Sequence, residues 1–248
     1  MDFTKKIVWI TGSSKGIGEA TAKEFASLGA SIVLHYFTDL ESIKIIKQEI
    51  EEKYNVPVLV VHGDVSKEED VSRMLEEVLS VFGHIDVLVN NAAISIDTTF
   101  EDKTVENFRR ILDVNLIGTF LMSKYVGVKM LERKSGVIIN ISSTNGIDTV
   151  YPYSLDYDAS KAGVISLTKN LAIQFAPYVR VNCIAPGWVN TPMNKNLDSE
   201  FIENECTHIL LNRFADPKEI ANIISMISSD KASYLNGTVI RVDGGYQS

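Results

Sequence analysis

Short apolar runs alternate with longer amphipathic stretches along most of the chain. The first run, residues 7–10, is followed by turn residues and is typical of a strand buried on both faces. Residues 16–28 carry apolar side chains at helical spacing and precede Gly29, a common helix stop. Ser66 and Glu69 predict a capping box at the start of a later helix. The predicted strands are 7–10, 31–36, 56–62, 85–90, 137–141, 179–184 and 238–242, and the predicted helices are 16–28, 39–54, 66–82, 104–132, 156–175 and 217–227.

This alternation predicts an α/β fold with a doubly wound, seven-stranded parallel sheet and helices on both faces. No Pro-rich linker or internal repeat divides the sequence, so residues 1–248 are interpreted as a single domain. Residues 190–214 fit the pattern least well because they join a strand to the last helix over an unusually long connection. Such connections in compact domains are usually functional or mobile, so we expect short helices there that form a substrate-binding flap.

Composition and charge exclude several classes of function. The net charge of −8 disfavours a general affinity for nucleic acid or for an anionic membrane. The two cysteines form no CxxC pattern, so a reducing compartment without disulfides is expected. No stretch approaches the ~20 apolar residues of a membrane span, so we expect a soluble, cytoplasmic protein. No metal site is predicted, and the histidines are interpreted as surface or strand-end residues: His35, His62, His84 and His208.

Tyr157 and Lys161 lie four residues apart on a predicted helix and therefore project from one face of it. A free tyrosine has a pKa of about 10, and a nearby ammonium lowers that pKa towards the range in which proton transfer is efficient. Such pairs also decorate ordinary amphipathic helices, so the spacing alone does not assign chemistry. Tyr151 and Tyr153 have no lysine four residues further on.

A glycine-rich turn follows the first predicted strand and opens the first helix. Residues 11–18 read TGSSKGIG. A turn of this kind presents free N–H groups and the positive end of a helix dipole, which suits a pyrophosphate. A tight turn with close helix–sheet packing would explain Gly12 and Gly18 but leaves Gly16 without a role. The context of strand, turn and helix therefore predicts nucleotide binding.

The Gly-x-x-x-Gly-x-Gly spacing, together with Tyr157-x-x-x-Lys161, resembles the short-chain dehydrogenase/reductase family over essentially the whole chain. The resemblance implies a Rossmann fold and an NAD(P)-dependent oxidoreductase that transfers hydride between nicotinamide and a carbonyl or secondary alcohol. Further matches follow in the family's order: Asp64-Val65, Asn90-Asn91-Ala92, Asn115, Ser143, and Pro186-Gly187 with Thr191. The family usually has glycine where this chain has Ala93, so the extra methyl is expected to narrow the space beside the cofactor or to reflect a shifted backbone.

The resemblance implies a catalytic tetrad of Asn115, Ser143, Tyr157 and Lys161. Tyr157 would protonate the carbonyl oxygen, and Lys161 would lower the Tyr157 pKa and hold the nicotinamide ribose. Ser143 would donate to the same oxygen, and Asn115 would anchor a water that links Lys161 to solvent. Ser142 is the neighbouring alternative, but strand alternation places adjacent serines on different sides, and the family favours Ser143.

The resemblance also implies a cofactor site. Its residues are Gly12, Ser14, Lys15, Gly16, Ile17, Gly18, Tyr36, Asp64, Val65, Asn91, Ala92, Ala93, Tyr157, Lys161, Pro186, Gly187, Val189 and Thr191. NAD-selective sites usually place a carboxylate at the end of the second strand. That position is at or next to Tyr36, and no carboxylate occurs until Asp39. Because Lys15 could reach a 2′-phosphate, NADP(H) is favoured over NAD(H).

The sequence is most similar to 3-oxoacyl-[acyl-carrier-protein] reductases, especially at 213–217 and 237–245, which favours a 3-oxoacyl thioester and a role in fatty acid biosynthesis. An acidic carrier protein needs a basic patch, for which Arg133 and Lys134 are candidates. Such reductases often have an arginine where this chain has Pro177-Tyr178, and Arg180 falls in a predicted strand. A small ketone, diketone, sugar or steroid-like alcohol is the alternative substrate. Candidate pocket residues are Ser95, Asn145, Tyr151, Tyr153, Trp188 and Met193.

Two further expectations concern regulation and assembly. A non-catalytic cofactor-sensing regulator is a remote alternative, because such proteins typically lose the tyrosine or the lysine, and this sequence keeps all four tetrad positions. Family members are commonly tetramers, so a homotetramer is expected, with the helices around Asn115 and Tyr157 as interfaces.

Overall fold

The computed structural model describes residues 1–195 and 197–247. The strands are β1 (Ile7–Ile10), β2 (Ser31–Tyr36), β3 (Val58–His62), β4 (Val87–Asn90), β5 (Gly136–Ile141), β6 (Val179–Pro186) and β7 (Val239–Val242). The helices are α1 (Gly16–Ser27), α2 (Leu40–Tyr54), α3 (Glu68–Phe82), α4 (Val105–Leu112), α5 (Gly118–Glu132), α6 (Leu155–Phe175), α7 (Ser199–His208) and α8 (Pro217–Ser228). All seven predicted strands and all six predicted helices are present, with ends that differ by one or two residues.

The strands form one sheet in the order β3-β2-β1-β4-β5-β6-β7, and every pairing is parallel. The predicted doubly wound sheet is therefore confirmed. The chain order reverses between β1 and β4, and ligands of such sheets bind outside the carboxyl ends of the strands at this switch point.

The core consists of two apolar layers, one on each face of the sheet. Because strand side chains alternate, Val8 and Ile10 face one layer while Ile7 and Trp9 face the other. The first layer is completed by helices α1, α2 and α8, and the second by α3, α5 and α6. β1 is thus covered on both faces, which explains its uninterrupted apolar sequence.

The long helix predicted at 104–132 is interrupted by a π-helical turn at Asp113–Ile117, between α4 and α5. By length and composition alone, the stretch Val105–Glu132 could cross a bilayer, with a mean hydropathy of 1.3. More than half of its apolar window is buried inside the protein, and α5 packs against α3 and the sheet. This stretch therefore functions as a core helix of the fold.

Two local predictions have different outcomes. The capping box at Ser66 was wrong, because α3 begins at Glu68 and the Ser66 hydroxyl donates to Asp64 Oδ1 at 2.7 Å. The region 190–214 does contain short helices, a 3₁₀ turn at Pro192–Asn194 and α7. Residue 196 of that region lies outside the described residues.

Candidate active site

The carboxyl ends of β1, β4, β5 and β6 open into a cleft with a volume of about 770 Å³. Lining residues from the predicted cofactor set are Gly12, Ser14, Lys15, Gly16, Ile17, Tyr36, Asp64, Val65, Asn91, Ala92, Ala93, Tyr157, Lys161, Pro186, Gly187, Val189 and Thr191. Ser143 lines it too, as do Ser95, Asn145, Tyr151, Trp188 and Met193 from the predicted substrate set. Within the described part of the chain, Gly18, Asn115 and Tyr153 do not line the cleft.

Two glycines shape the turn between β1 and α1. Gly12 has a φ of +62°, and a Cβ there would lie 2.8 Å from the Cα of Ala92. Gly16 has a φ of +60°, and a Cβ there would lie 3.2 Å from Thr191 Cγ2. Backbone geometry therefore requires Gly16 as well as Gly12, which the sequence reasoning did not anticipate. The bare turn and the dipole at the start of α1 fit the pyrophosphate of a dinucleotide.

His35, near the end of β2, hydrogen-bonds to this turn. Its Nδ1 accepts the Gly12 N–H at 2.9 Å, and its Nε2 lies 2.9 Å from the Gly63 carbonyl oxygen. Acceptance at Nδ1 makes Nε2 the donor, so one neutral tautomer satisfies both contacts. Burial lowers the pKa of His35 to about 4. The expected strand-end position is right, but His35 is buried and is a structural part of the phosphate turn.

Asp64 lies at the opposite end of the cleft, after β3. Its Oδ1 accepts from the Ser66 backbone at 2.9 Å, and its Oδ2 pairs with Arg110 at 2.9 Å. Burial alone would raise the pKa of Asp64, but the Ser66 hydrogen bonds and the guanidinium keep it below its ordinary value. Arg110 also lies 5.9 Å from the centre of the Phe37 ring. Arg110 and Phe37 both line the cleft, and the sequence reasoning missed them because neither belongs to a recognisable motif.

Tyr157 and Lys161 project from one face of α6, with the Lys161 ammonium 5.3 Å from the centre of the Tyr157 ring. That ammonium donates to the Ile141 carbonyl oxygen at 2.8 Å. Burial raises the pKa of Tyr157 to about 12, against the opposing effect of the nearby Ser143 hydroxyl. Burial lowers the pKa of Lys161 to about 8. Desolvation of the phenol dominates the Tyr157 pKa in this arrangement, and the lowering of that pKa by Lys161 stays a prediction.

Asn115 lies in the π-helical turn, and its side chain braces the loop that follows β4. Its Oδ1 accepts the Ile94 N–H at 2.9 Å, and its Nδ2 donates to the Ile94 carbonyl at 3.0 Å and to Ser160 Oγ at 3.0 Å. The side chain therefore connects the β4 loop to α6. Asn115 lies behind the cleft wall and fixes the position of the β4 loop relative to α6.

The neighbouring serines have different surroundings. The Ser142 hydroxyl donates to the Lys161 carbonyl oxygen at 2.8 Å, so it is committed to the backbone of α6. Ser143 Oγ lies 3.2 Å from Asn145 Oδ1 and accepts the Asn145 N–H at 3.2 Å. It lies close enough to the Tyr157 phenol to lower the pKa of that phenol. Ser143 is thus the serine that shares the polar centre of the cleft with Tyr157.

A buried ion pair supports the start of α6. Lys103 Nζ lies 3.0 Å from Asp156 Oδ1 and donates to the Ile96 carbonyl oxygen at 2.6 Å. The side chains of Lys103 and Asp156 are 5% and 0% exposed, respectively. Asp156 Oδ1 also accepts the N–H of Tyr157 at 3.0 Å. This pair connects the loop after β4 to the residue that precedes the tyrosine, and no spacing in the sequence indicated it.

Aromatic rings form one wall of the cleft. The Tyr151 ring packs edge-on against Tyr153, Trp188 and Phe201 at centroid distances of 5.5, 6.2 and 6.0 Å. The Trp188 indole N–H donates to Glu205 at 2.7 Å. Phe201 and Glu205 belong to α7, so the region 190–214 contributes to this wall. Tyr153 supports Tyr151 from outside the cleft.

The chain is similar to several known proteins along nearly its full length. Residues 12–247 match the family model described as enoyl-(acyl carrier protein) reductase. The chain is 38% identical to the 3-oxoacyl-[acyl-carrier-protein] reductase FabG of Aquifex aeolicus, over 97% of this chain and 96% of that protein. It is 40% identical to 3beta-hydroxysteroid dehydrogenase 1 of Eggerthella lenta, over 98% and 94%.

Solved structures share the architecture. Levodione reductase superposes with a TM-score of 0.91 at 35% identity, covering 98% of both chains. The L-sorbose reductase of Gluconobacter frateurii, in complex with NADPH and L-sorbose, has a TM-score of 0.92 at 31% identity and covers 99% of this chain and 98% of its own. These proteins differ in substrate, so the likeness extends to the reaction class and the fold.

Proposed function

This chain belongs to the short-chain dehydrogenase/reductase family and is an NAD(P)-dependent oxidoreductase, and we propose that it reduces a ketone with NADP(H), using Tyr157 as the proton donor. One observation carries the proposal: Tyr157, Lys161 and Ser143 converge in the same cleft as the glycine turn. The bound nicotinamide supplies the hydride. The protein contributes orientation, hydrogen bonds and a proton.

Tyr157 is suited to act as the acid. Because its pKa is raised to about 12, the phenol is protonated at neutral pH and can donate to a carbonyl oxygen. Ser143, which lines the same cleft close to that phenol, is placed to stabilise the negative charge that develops on the same oxygen. Lys161, fixed on the Ile141 carbonyl, places a cation beside the ring and within the cofactor groove.

Substitution of Tyr157 tests this role. Tyr157→Phe keeps the ring and removes the proton, so turnover is expected to fall by a factor of roughly 100 or more while NADPH affinity changes little. Tyr234→Phe is the matched control, because Tyr234 is fully exposed at the surface. Wild-type turnover in Tyr157→Phe would refute the mechanism. NADPH binding without turnover of any substrate by the wild-type protein would instead favour a cofactor-sensing regulator.

The preference for NADP(H) rests on the end of the cleft beside β2. Lys15 is exposed there, at the start of α1, and lines the cleft with Tyr36 and Asp39. The Asp39 carboxylate accepts the Ser42 N–H at 3.1 Å and caps α2, so it is partly committed. A 2′-phosphate would pair with Lys15. The kcat/KM for NADPH should exceed that for NADH, and Lys15→Ala should reduce this preference. A strong NADH preference in the wild type would overturn the assignment.

Two substrate classes are supported by different observations. The relatives named 3-oxoacyl-[acyl-carrier-protein] reductase favour a 3-oxoacyl thioester. The pocket favours a small neutral ketone, because Asp97, Glu205 and Asp198 surround Tyr151 and would oppose an acidic carrier. The Arg180 guanidinium is already bonded to four backbone carbonyl oxygens at 3.1–3.4 Å, so it does not replace the arginine that a carrier would contact.

A substrate panel with NADPH separates the two classes. It compares an acetoacetyl thioester, free and on acyl carrier protein, with small ketones, cyclic diketones, sugars and steroid ketones. A higher kcat/KM for the neutral ketones supports the pocket argument. A higher value for the carrier-bound thioester supports fatty acid synthesis as the role.

A homotetramer and a cytoplasmic location complete the proposal. Phe120, Ile117 and Val128 leave apolar surface exposed along α5 and the turn before it, where family members associate. Light scattering after size-exclusion chromatography tests the subunit number. Cell fractionation tests the location.

A further inference from the structure

Asp158 directly follows Tyr157 in α6, and its carboxylate faces the loop between β5 and α6. It accepts from Asn145 Nδ2 at 2.8 Å, from the Ser154 hydroxyl at 2.9 Å and from the Tyr151 N–H at 3.4 Å. All three donors belong to that loop, which also carries Ser143. A single half-buried carboxylate therefore connects the helix of the proton donor to the loop of its partner serine.

The carboxylate also determines which way the Asn145 amide points. An ionised carboxylate only accepts hydrogen bonds, so the Asn145 atom that faces Asp158 is the NH₂ group. The amide oxygen is then directed to the other side, where it lies 3.2 Å from Ser143 Oγ. A carbonyl oxygen accepts, so it holds the Ser143 hydroxyl in place, with its proton on Asn145 until a substrate oxygen competes for it.

We propose that Asp158 is a positioning residue, which acts through Asn145 to orient the Ser143 hydroxyl beside Tyr157. The motif Tyr157-x-x-x-Lys161 does not specify this residue, and none of the four tetrad positions includes it. Neither Asp158 nor Asn145 needs to touch the reacting atoms. The inference rests on the proposed function, because it assigns the residues that prepare the proton donor and its partner.

The charge of Asp158 acts on the same centre. Four groups face the Tyr157 phenol or flank it: Asp97 from the loop after β4, Asp158 and Lys161 from α6, and Ser143 from the end of β5. The negative charges of Asp158 and Asp97 raise the pKa of Tyr157, in addition to the larger effect of its burial. Asp158 therefore favours the protonated phenol, which is the form that a reductase requires.

A double-mutant cycle tests the connection. Asp158→Ala and Asn145→Ala are each expected to reduce kcat for ketone reduction on the order of ten-fold, because each leaves Ser143 without its orienting contact. The double variant should lose no more than either single variant, because both remove the same connection. Asp158→Asn retains an acceptor and should recover most of the kcat. Ser154→Ala, which removes another donor to the same carboxylate, is the control and should lose less than about two-fold.

The pH dependence of kcat for alcohol oxidation reports the pKa of Tyr157. A substitution that only disturbs the packing of the loop would lower kcat without changing that pKa. In this profile the rate rises with pH as Tyr157 ionises, and this rise is the limb that reports its pKa. Asp158→Asn should shift the limb to lower pH, because a negative charge is lost beside the phenol. Asn145→Ala should leave that limb in place. Losses of kcat that multiply in the double variant, or an unshifted limb in Asp158→Asn, would overturn the proposal. Tyr157→Phe is measured in parallel: if it stays active, the proposed function itself fails, whereas an inactive Tyr157→Phe with a fully active Asp158→Ala refutes only this inference.

Discussion

The buried His35 makes the stability of the protein depend on pH in a specific direction. The ring is 2% exposed and accepts the Gly12 N–H, so the folded protein holds it neutral, with a pKa of about 4. In the unfolded chain the same ring has an ordinary pKa of about 6.5. Above pH 6.5 both states are neutral and the group contributes no pH dependence. Below that pH the unfolded chain takes up a proton that the folded protein does not, so stability falls as the pH falls.

The magnitude follows from the difference between the two pKa values. Each unit corresponds to about 1.4 kcal/mol, so a fall from 6.5 to about 4 predicts a loss of about 3 kcal/mol across this window. The charges that act on the ring are His62, which opposes protonation, and Asp64 and Asp70, which favour it. The loss stops below the folded-state pKa, where both states are protonated.

Urea unfolding of wild type and of His35→Asn, at pH 7, 6, 5 and 4.5 and at one protein concentration, measures this effect. Asparagine retains an acceptor for Gly12 but does not titrate, so the free energy of unfolding should fall less steeply with pH than in wild type. Other titrating groups are common to both proteins and cancel in the difference. His208→Asn, at an exposed site, is the control and should keep the wild-type slope. Equal slopes in His35→Asn and wild type would refute the reasoning.

Three further substitutions have defined outcomes. Lys103→Met should destabilise the fold by about 3–5 kcal/mol in urea unfolding, because it leaves the charge of Asp156 buried without its partner; an unchanged midpoint would contradict this. Gly12→Ala should cost at least about 1–2 kcal/mol in unfolding and weaken NADPH binding, because an alanine there adopts a left-handed φ and meets Ala92 at 2.8 Å. Ala93→Gly should lower the Kd for NADPH in a fluorescence titration if the methyl group of Ala93 narrows the cleft. An unchanged Kd would mean that a shifted backbone accommodates alanine where the family usually has glycine.

The fold could be predicted because its signals are local and periodic. β1 is covered on both faces, so every position is apolar, and α1 has its stop at Gly29. The π-helical turn at Asp113–Ile117 could not be predicted, because its residues continue the helical pattern on both sides. The capping box at Ser66 failed because α3 begins only at Glu68, and the Ser66 oxygen accepts from Arg110 at 3.0 Å, a contact that only the fold creates.

The site residues also fall into two groups, those that spacing within one element predicts and those that only the fold brings together. The glycine turn and the Tyr157–Lys161 pair are spacings within one element, so the sequence displays them directly. The Lys103–Asp156 pair joins residues 53 positions apart, and only the fold brings them together. His35 occupies the same strand face as the buried Val33, a periodicity that could have indicated its burial. Its contact with Gly12 depends on how the turn crosses over β2, which no spacing encodes.

The two acidic residues that flank Tyr157 have different partners, and this difference bears on the protonation of the phenol. Asp156 is paired with the Lys103 ammonium at 3.0 Å, so its charge is largely compensated. Asp158 accepts from neutral donors, the amide of Asn145, the Ser154 hydroxyl and a backbone N–H. Its charge therefore acts on the phenol more fully, and together with burial it keeps the Tyr157 proton in place at neutral pH. An oxidising enzyme needs the phenolate as a base, whereas a reductase needs the protonated phenol. We therefore expect the Tyr157 phenol to be protonated at neutral pH, as proton donation to a ketone needs, and alcohol oxidation to accelerate as the pH rises.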